Sequence, residues 1–346
     1  MPMKDHLLWV IMRLAALLLV AFFLTACGQD AKPRVIGFTG LTMGTSYTLK
    51  WVAQDTSQVE SVRQQAEQVL AQINQSMSTY IPDSELSRLN QRQDASAQTV
   101  SSSLFEVLAL SQAVSQQTAG AFDITVGPLV NLWGFGPDGR VIKAPDGQQI
   151  DQLKPRIGHQ RVQLDSGLQQ VQKPVGMYLD LSAIAKGYAV DRLAALLIER
   201  GVESYLAEIG GELRAKGVKP DGQAWRIAVE SPVAGERAIQ RIIEVKDVGI
   251  ATSGDYRNYF EEQGVRFSHT IDPATGRPIS HKLASVTVLR PTCAEADALA
   301  TAFMVMGDER AYQFALEHAI SALFIVKSEA GFTEKQTPGF AEYIVE

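Results

Sequence analysis

The sequence predicts an α+β fold: a single catalytic domain of mixed sheets with flanking helices. Three observations carry that expectation. Strand-like runs gather in blocks instead of alternating strictly with helical runs, which argues against a doubly wound parallel sheet. Apolar residues recur at three- and four-residue steps in several windows, so amphipathic helices flank those blocks. No repeat of fixed period and no low-complexity linker divides the body. The 346 residues are 46% hydrophobic and 20% charged, enough apolar material for one sizeable core. The formal net charge of −6 leaves no basic footprint for nucleic acid.

The chain opens on an export signal. Lys4 lies in a polar head, an apolar run covers residues 14–24, and Leu24-Thr25-Ala26-Cys27 follows. That last tetrapeptide resembles the bacterial lipobox, whose cysteine receives a lipid before cleavage. The other reading, a membrane anchor over residues 7–24, is interrupted by Arg13, whereas a crossing helix wants about 20 clean apolar residues. Residues 1–26 are therefore read as a lipoprotein signal peptide, Cys27 as the lipidation site, 27–39 as a lipid-anchored tether and 40–346 as the catalytic domain. Cys293 is the only other cysteine, so no disulfide framework exists once Cys27 is lipidated.

In the body, residues 46–52 read as a strand. Val59, Val62, Ala66, Val69, Leu70, Ile73 and Met77 then trace a helix face. A second helix is expected from Leu104 to about Thr118, N-capped by Ser103 and stopped by Gly120. Gly127-Pro128 and the segment 133–137 suggest a long irregular stretch. Val162, Leu164 and Val171 flank Asp165-Ser166-Gly167 as in a hairpin. Residues 177–181 read as a short apolar strand leading into a helix over about 186–200, ended by Gly201. Strands are expected at 205–209, 225–230, 242–245 and 283–289, helices at about 294–306 and 309–318, and a final strand at 320–326.

Several enzyme classes lack their signatures here. Zinc spacing, H-E-x-x-H, G-x-S-x-G and a Walker loop are all missing from the sequence. Three patches remain. Asp297 and Thr301 are four apart on a helical segment and share a face. Their neighbours Ala296, Ala298, Leu299 and Ala300 are apolar, and a carboxylate in such company needs a partner. Mg²⁺, which prefers hard oxygens, is a fitting one. On spacing alone, the pair could equally be a helix-start acid beside a threonine bonded to its own backbone. The second patch, residues 268–278, is a polar loop in which His269 could serve as a general base or merely decorate a turn. The third, residues 180–188, joins Asp180 and Lys186 at a helix start, where backbone N–H groups attract anions and where a simple N-cap would look the same.

Taken in series, the motifs resemble the FAD:protein FMN transferase family, also called ApbE. The likeness runs from about residue 40 to residue 345. It rests on Met43-Gly44-Thr45, Ser78-Thr79-Tyr80, the segment 120–129, Trp133-Gly134-Phe135-Gly136, Asp180-Leu181-Ser182 with Lys186-Gly187-Tyr188, Ile209-Gly210-Gly211, the segment 252–257, the segment 268–273, and Glu295-Ala296-Asp297. The resemblance implies that Met43, Tyr80, Ala121, Phe122, Asp123, Asp180, Lys186 and Ile271 line an FAD pocket. It implies that Ala183, through its carbonyl, joins Asp297 and Thr301 around Mg²⁺, and that His269 deprotonates the acceptor hydroxyl. The implied reaction moves FMN from FAD onto a threonine of another protein and releases AMP. The implied acceptors are extracytoplasmic subunits of Na⁺-translocating NADH:quinone reductase or Rnf-type complexes. Two other activities would use the same pocket: hydrolysis of FAD to FMN and AMP, and passive FAD binding. The anchor would hold the enzyme to a bacterial membrane, facing the periplasm.

Overall fold

The computed structural model describes residues 32–345 other than 140, 142, 233–238, 257 and 330, together with residues 9, 12 and 13. The rest of the signal peptide, the lipobox with Cys27, and Arg257 lie outside the described residues. Among the described residues, no helix is long and apolar enough to cross a membrane.

In chain order the main elements are β1 (Arg34–Thr42), β2 (Thr45–Ala53), α1 (Val59–Met77), α2 (Glu85–Gln91), α3 (Ser102–Gln117), α4 (Gly127–Leu132) and α5 (Ala185–Glu199). They continue as β3 (Tyr205–Ile209), β4 (Glu212–Lys216), β5 (Trp225–Glu230), β6 (Ile239–Val245), β7 (Val248–Gly254), β8 (Tyr259–Glu262) and β9 (Val265–Ser268). The last are β10 (Leu283–Arg290), α6 (Cys293–Met306), α7 (Asp308–Glu317), β11 (Ser321–Ser328) and β12 (Gly331–Gln336). Eight strands form one antiparallel sheet in the order β1-β2-β3-β4-β7-β10-β11-β12. This is the α+β domain that the clustering of strands predicts.

The sheet is buried on both faces, and residue parity decides which side chain serves which. Tyr47, Leu49, Trp51, Tyr205, Ala207, Ile209, Ala251 and Val286 face the helices in the main core. Leu206, Leu213, Ile250, Leu289 and Leu323 face the other way, against Trp225, Val229, Ile243 and Val245 of the β5–β6 hairpin. Helix α6 is apolar nearly all round because it packs on β7, β10 and α5 at once. A third, smaller core joins Leu129, Trp133, Ile150 and Ile271 to the aromatic rings of β8 and β9.

Several sequence expectations need correction. The tether cannot run to residue 39, because residues 34–39 already pair with β2. The segment 177–181 is no strand. Met177, Leu179 and Leu181 are buried, but side chains satisfy the backbone in place of a ladder. The Asn90 amide accepts from the Leu179 N–H and donates to its carbonyl, both at 2.8 Å, and the Asp180 N–H donates to the Ile124 carbonyl at 2.8 Å. Ser101, not Ser103, caps α3 by accepting from the Leu104 N–H at 3.3 Å. The stretch after Gly127 is helical in α4, where Pro128 suits a first turn that needs no N–H from it. The strand expected to be last is followed by β12, whose polar sequence suits a sheet edge.

Candidate active site

One cleft of ≈ 1370 Å³ gathers every residue singled out for chemistry in the body of the chain. Met43, Tyr80, Ala121, Phe122, Asp123, Asp180, Ala183, Lys186, His269, Ile271, Asp297 and Thr301 all line it. They come from well-separated segments between residues 43 and 301, which the sheet's ends and the starts of α5 and α6 bring together.

The centre of the cleft is a reciprocal cap between two helices. The start of α5 has no capping side chain of its own, so the first N–H groups need outside acceptors. Asp297 of α6 supplies one: its Oδ2 accepts from the Gly187 N–H at 3.0 Å. Asp191 of α5 returns the favour. Its two carboxylate oxygens accept from the Cys293 and Ala294 N–H groups at 3.0 and 2.9 Å, at the start of α6. Asp191 is also paired with Arg214 of β4 at 2.9 Å. The helices must approach very closely for this, and Gly187 permits it. A Cβ there would lie 2.5 Å from the Cys293 carbonyl oxygen and 2.8 Å from Asp297 Cβ.

Asp297 is buried. Burial and the neighbouring Glu212 push its carboxyl up to about 7, against the pull of Lys186 and the Gly187 N–H. Lys186 forms an ion pair with Glu212. Burial pulls the lysine down, but Glu212 and Asp297 outweigh it and hold Lys186 raised. The other oxygen of Glu212 is buried without a hydrogen-bond partner. Thr301, one turn beyond Asp297, sits 3.4 Å from the Ser253 hydroxyl. This donor set suits a hard cation: a buried carboxylate with an open claim for charge, a hydroxyl on the same helix face, and Ala183 just before α5. Among the described residues there is no group of three or more His, Cys, Asp and Glu arranged for a metal.

His269 follows β9. Its backbone N–H and its Nδ1 both reach the Asn258 carbonyl, at 3.1 and 3.0 Å. A carbonyl only accepts, so Nδ1 carries the proton and Nε2 keeps its lone pair. Burial, with a smaller push from Lys186, lowers the imidazole below its usual value, against the Asn258 bond and Asp255. Phe135 stands edge-on to the ring, and Phe260 stacks on Phe267 beside it. Trp133 anchors this aromatic group through its Nε1–H to the Gly276 carbonyl at 2.9 Å.

The remaining residues build the walls. The Asp123 carboxylate accepts from the Thr125 N–H and hydroxyl at 2.8 and 2.6 Å and from the His159 N–H at 3.0 Å, so its side chain holds the loop. Asp180 does the same for Ser182, at 2.8 Å from its N–H and 2.5 Å from its hydroxyl. Tyr80 lies at the rim with an exposed ring, its hydroxyl donating to the Phe135 carbonyl at 3.4 Å. Sequence reasoning misses Asp191 and Glu212, and it names Ser253 only within the motif 252–257, without a role. The two residues before Glu212, Gly210 and Gly211, were the nearest signal.

The sequence model of the ApbE family matches residues 43–324. The chain is 43% identical to the FAD:protein FMN transferase of Vibrio cholerae, over 97% of this chain and 98% of that protein. It is 41% identical to the FAD:protein FMN transferase of Haemophilus influenzae, over 93% and 94%. The solved structure of the flavin transferase ApbE from Vibrio cholerae superposes with a TM-score of 0.83 at 42% identity, covering 90% of this chain and 99% of that one. On this agreement of sequence, fold and near-complete coverage, the chain belongs to the ApbE family and is a transferase.

Proposed function

We propose that this protein moves FMN from FAD onto a threonine hydroxyl of an acceptor protein, with Mg²⁺ as its metal. The observation that carries the reading is His269: a neutral imidazole with Nδ1 tied to a carbonyl and Nε2 left basic, in the cleft that also holds Asp297 and Thr301. Storage of a flavin needs no such base. The threonine oxygen forms a bond to the FMN phosphorus, the pyrophosphate bond to AMP breaks, and the hydroxyl proton passes to His269 Nε2. A positioned base of this kind contributes roughly 10²–10⁴-fold. Asp297, Thr301 and the Ala183 carbonyl would hold Mg²⁺, which offsets charge on the pyrophosphate and the departing phosphate. Met43, Tyr80, Ala121, Phe122, Asp123, Asp180, Lys186 and Ile271 would seat FAD, with Lys186 adding positive charge near the phosphates.

The acceptors we infer are extracytoplasmic subunits of Na⁺-translocating NADH:quinone reductase or Rnf-type complexes. A lipid on Cys27 would keep the enzyme on the periplasmic side of the membrane that carries them. The test mixes the purified protein with FAD, Mg²⁺ and such an acceptor domain, followed by a denaturing gel under ultraviolet light. A fluorescent acceptor band that EDTA abolishes supports transfer. A dark band with free FMN and AMP supports hydrolysis by water instead, and intact FAD supports a binding protein.

A further inference from the structure

The large sheet is split beside the cleft. Strand β7 pairs with β10 over six residues, Gly249–Gly254, but with β4 over only three, Val248–Ile250 against Leu213–Ala215. Past Ile250, among the described residues, no strand pairs with β7 on its β4 side. In an antiparallel strand bonded on one side, alternate residues turn N–H and C=O groups to the other side. Residues 251–254 therefore present a short free edge inside the sheet. Thr252, Ser253 and Gly254 of that edge are part-exposed and line the cleft. The opposite lip is the β3–β4 turn, where Gly211 has φ +109° and open space where a Cβ would project. The edge also touches the chemistry, since the Ser253 hydroxyl lies 3.4 Å from that of Thr301.

We propose that residues 251–254 of β7 are the docking edge for the acceptor protein, whose reactive segment adds there as a short extended strand. The inference rests on the transferase reading above, in which a protein hydroxyl must reach His269 and the Asp297–Thr301 face together. Strand addition suits that task. Main-chain hydrogen bonds grip an extended segment with little regard to its side chains, and fix it in register. A segment held on this edge runs along the wall of the cleft that carries Thr301, so one of its side chains enters the site. Among the described residues the outer edges β1 and β12 are also unpaired, and β5 lines the cleft too, but the inner edge is the one whose side chain, Ser253, reaches the Thr301 hydroxyl. The occupant is an extended, threonine-bearing stretch of a flavin-acceptor domain.

The test is amide-resolved hydrogen exchange on the full protein with FAD and Mg²⁺. The probe is an acceptor domain that the enzyme flavinylates, with its reactive threonine changed to valine so that the complex persists. The expected result is at least tenfold slower exchange at alternate amides of residues 251–254 when the acceptor is added, with no change there from FAD and Mg²⁺ alone. Three results overturn the proposal: a complex that forms while these amides are unchanged, protection confined to β1 or β12, or protection produced by FAD alone. If the unmodified acceptor is never flavinylated and no complex forms, the transferase reading fails and takes this edge with it. Flavinylation without edge protection sinks the edge alone.

Discussion

Replacing Asp297 by asparagine separates its cost to the fold from its use to the site. Asparagine keeps the shape and an oxygen for the Gly187 N–H but removes the buried charge. The folded carboxyl sits at about 7 against an ordinary 3.8. The folded state therefore holds a proton that the unfolded state has released between those values. The stability that the raised carboxyl contributes is complete below pH 3.8 and is lost as pH rises to about 7. At 1.36 kcal/mol per unit the loss is about 4 kcal/mol, the net of burial and Glu212 acting against Lys186 and the Gly187 N–H. Without metal at pH 8, Asp297→Asn should melt roughly 4–8 °C above the wild type, with the gap closing towards pH 4. Added Mg²⁺ should close or reverse the gap, raising the wild type more than the variant. Thermal melts from pH 4 to 8, with and without Mg²⁺, read both effects. A variant no more stable than wild type in EDTA at pH 8 would refute the burial argument, and a variant that Mg²⁺ stabilises as much as wild type would remove Asp297 from the metal site.

Three further outcomes follow from the same geometry. His269→Gln should lower FMN transfer by roughly 10²–10⁴-fold while flavin fluorescence reports unchanged FAD binding, and the wild-type rate should rise with pH through a midpoint below 6.5. Gly187→Ala would place a Cβ 2.5 Å from backbone, so denaturant melts should show a loss of about 1–3 kcal/mol together with weaker Mg²⁺ activation. Asp191→Ala strips two N–H groups of their acceptors and Arg214 of its partner, so the same melts should fall by about 1–3 kcal/mol.

Local pattern made much of the fold legible. Helices α1, α5 and α6 and the strands β2, β3, β5 and β10 stand close to where apolar spacing puts them, because each buries an apolar run or face that its own segment supplies. Strands β4 and β7 were missed. β4 breaks its apolar run with Arg214 and Lys216, and β7 carries Thr252, Ser253 and Gly254 where it lines the cleft. The segment 177–181 misled for the opposite reason, since its alternation is that of a strand but Asn90, 89 residues away, takes the place of a neighbour.

By itself the sequence determined the fold class, the family and twelve of the residues that share the cleft, because short motifs and hydrophobic period are local properties. Only the tertiary structure decided what those residues do to one another. Asp297 meets Gly187 across 110 residues and Asp191 meets Cys293 across 102. Proximity of that kind sets the burial that raises one carboxyl, the carbonyl that fixes one imidazole tautomer, and the gap that leaves one strand edge open. None of the three is a property of spacing along the chain, since each depends on which distant backbone groups are satisfied and which are not.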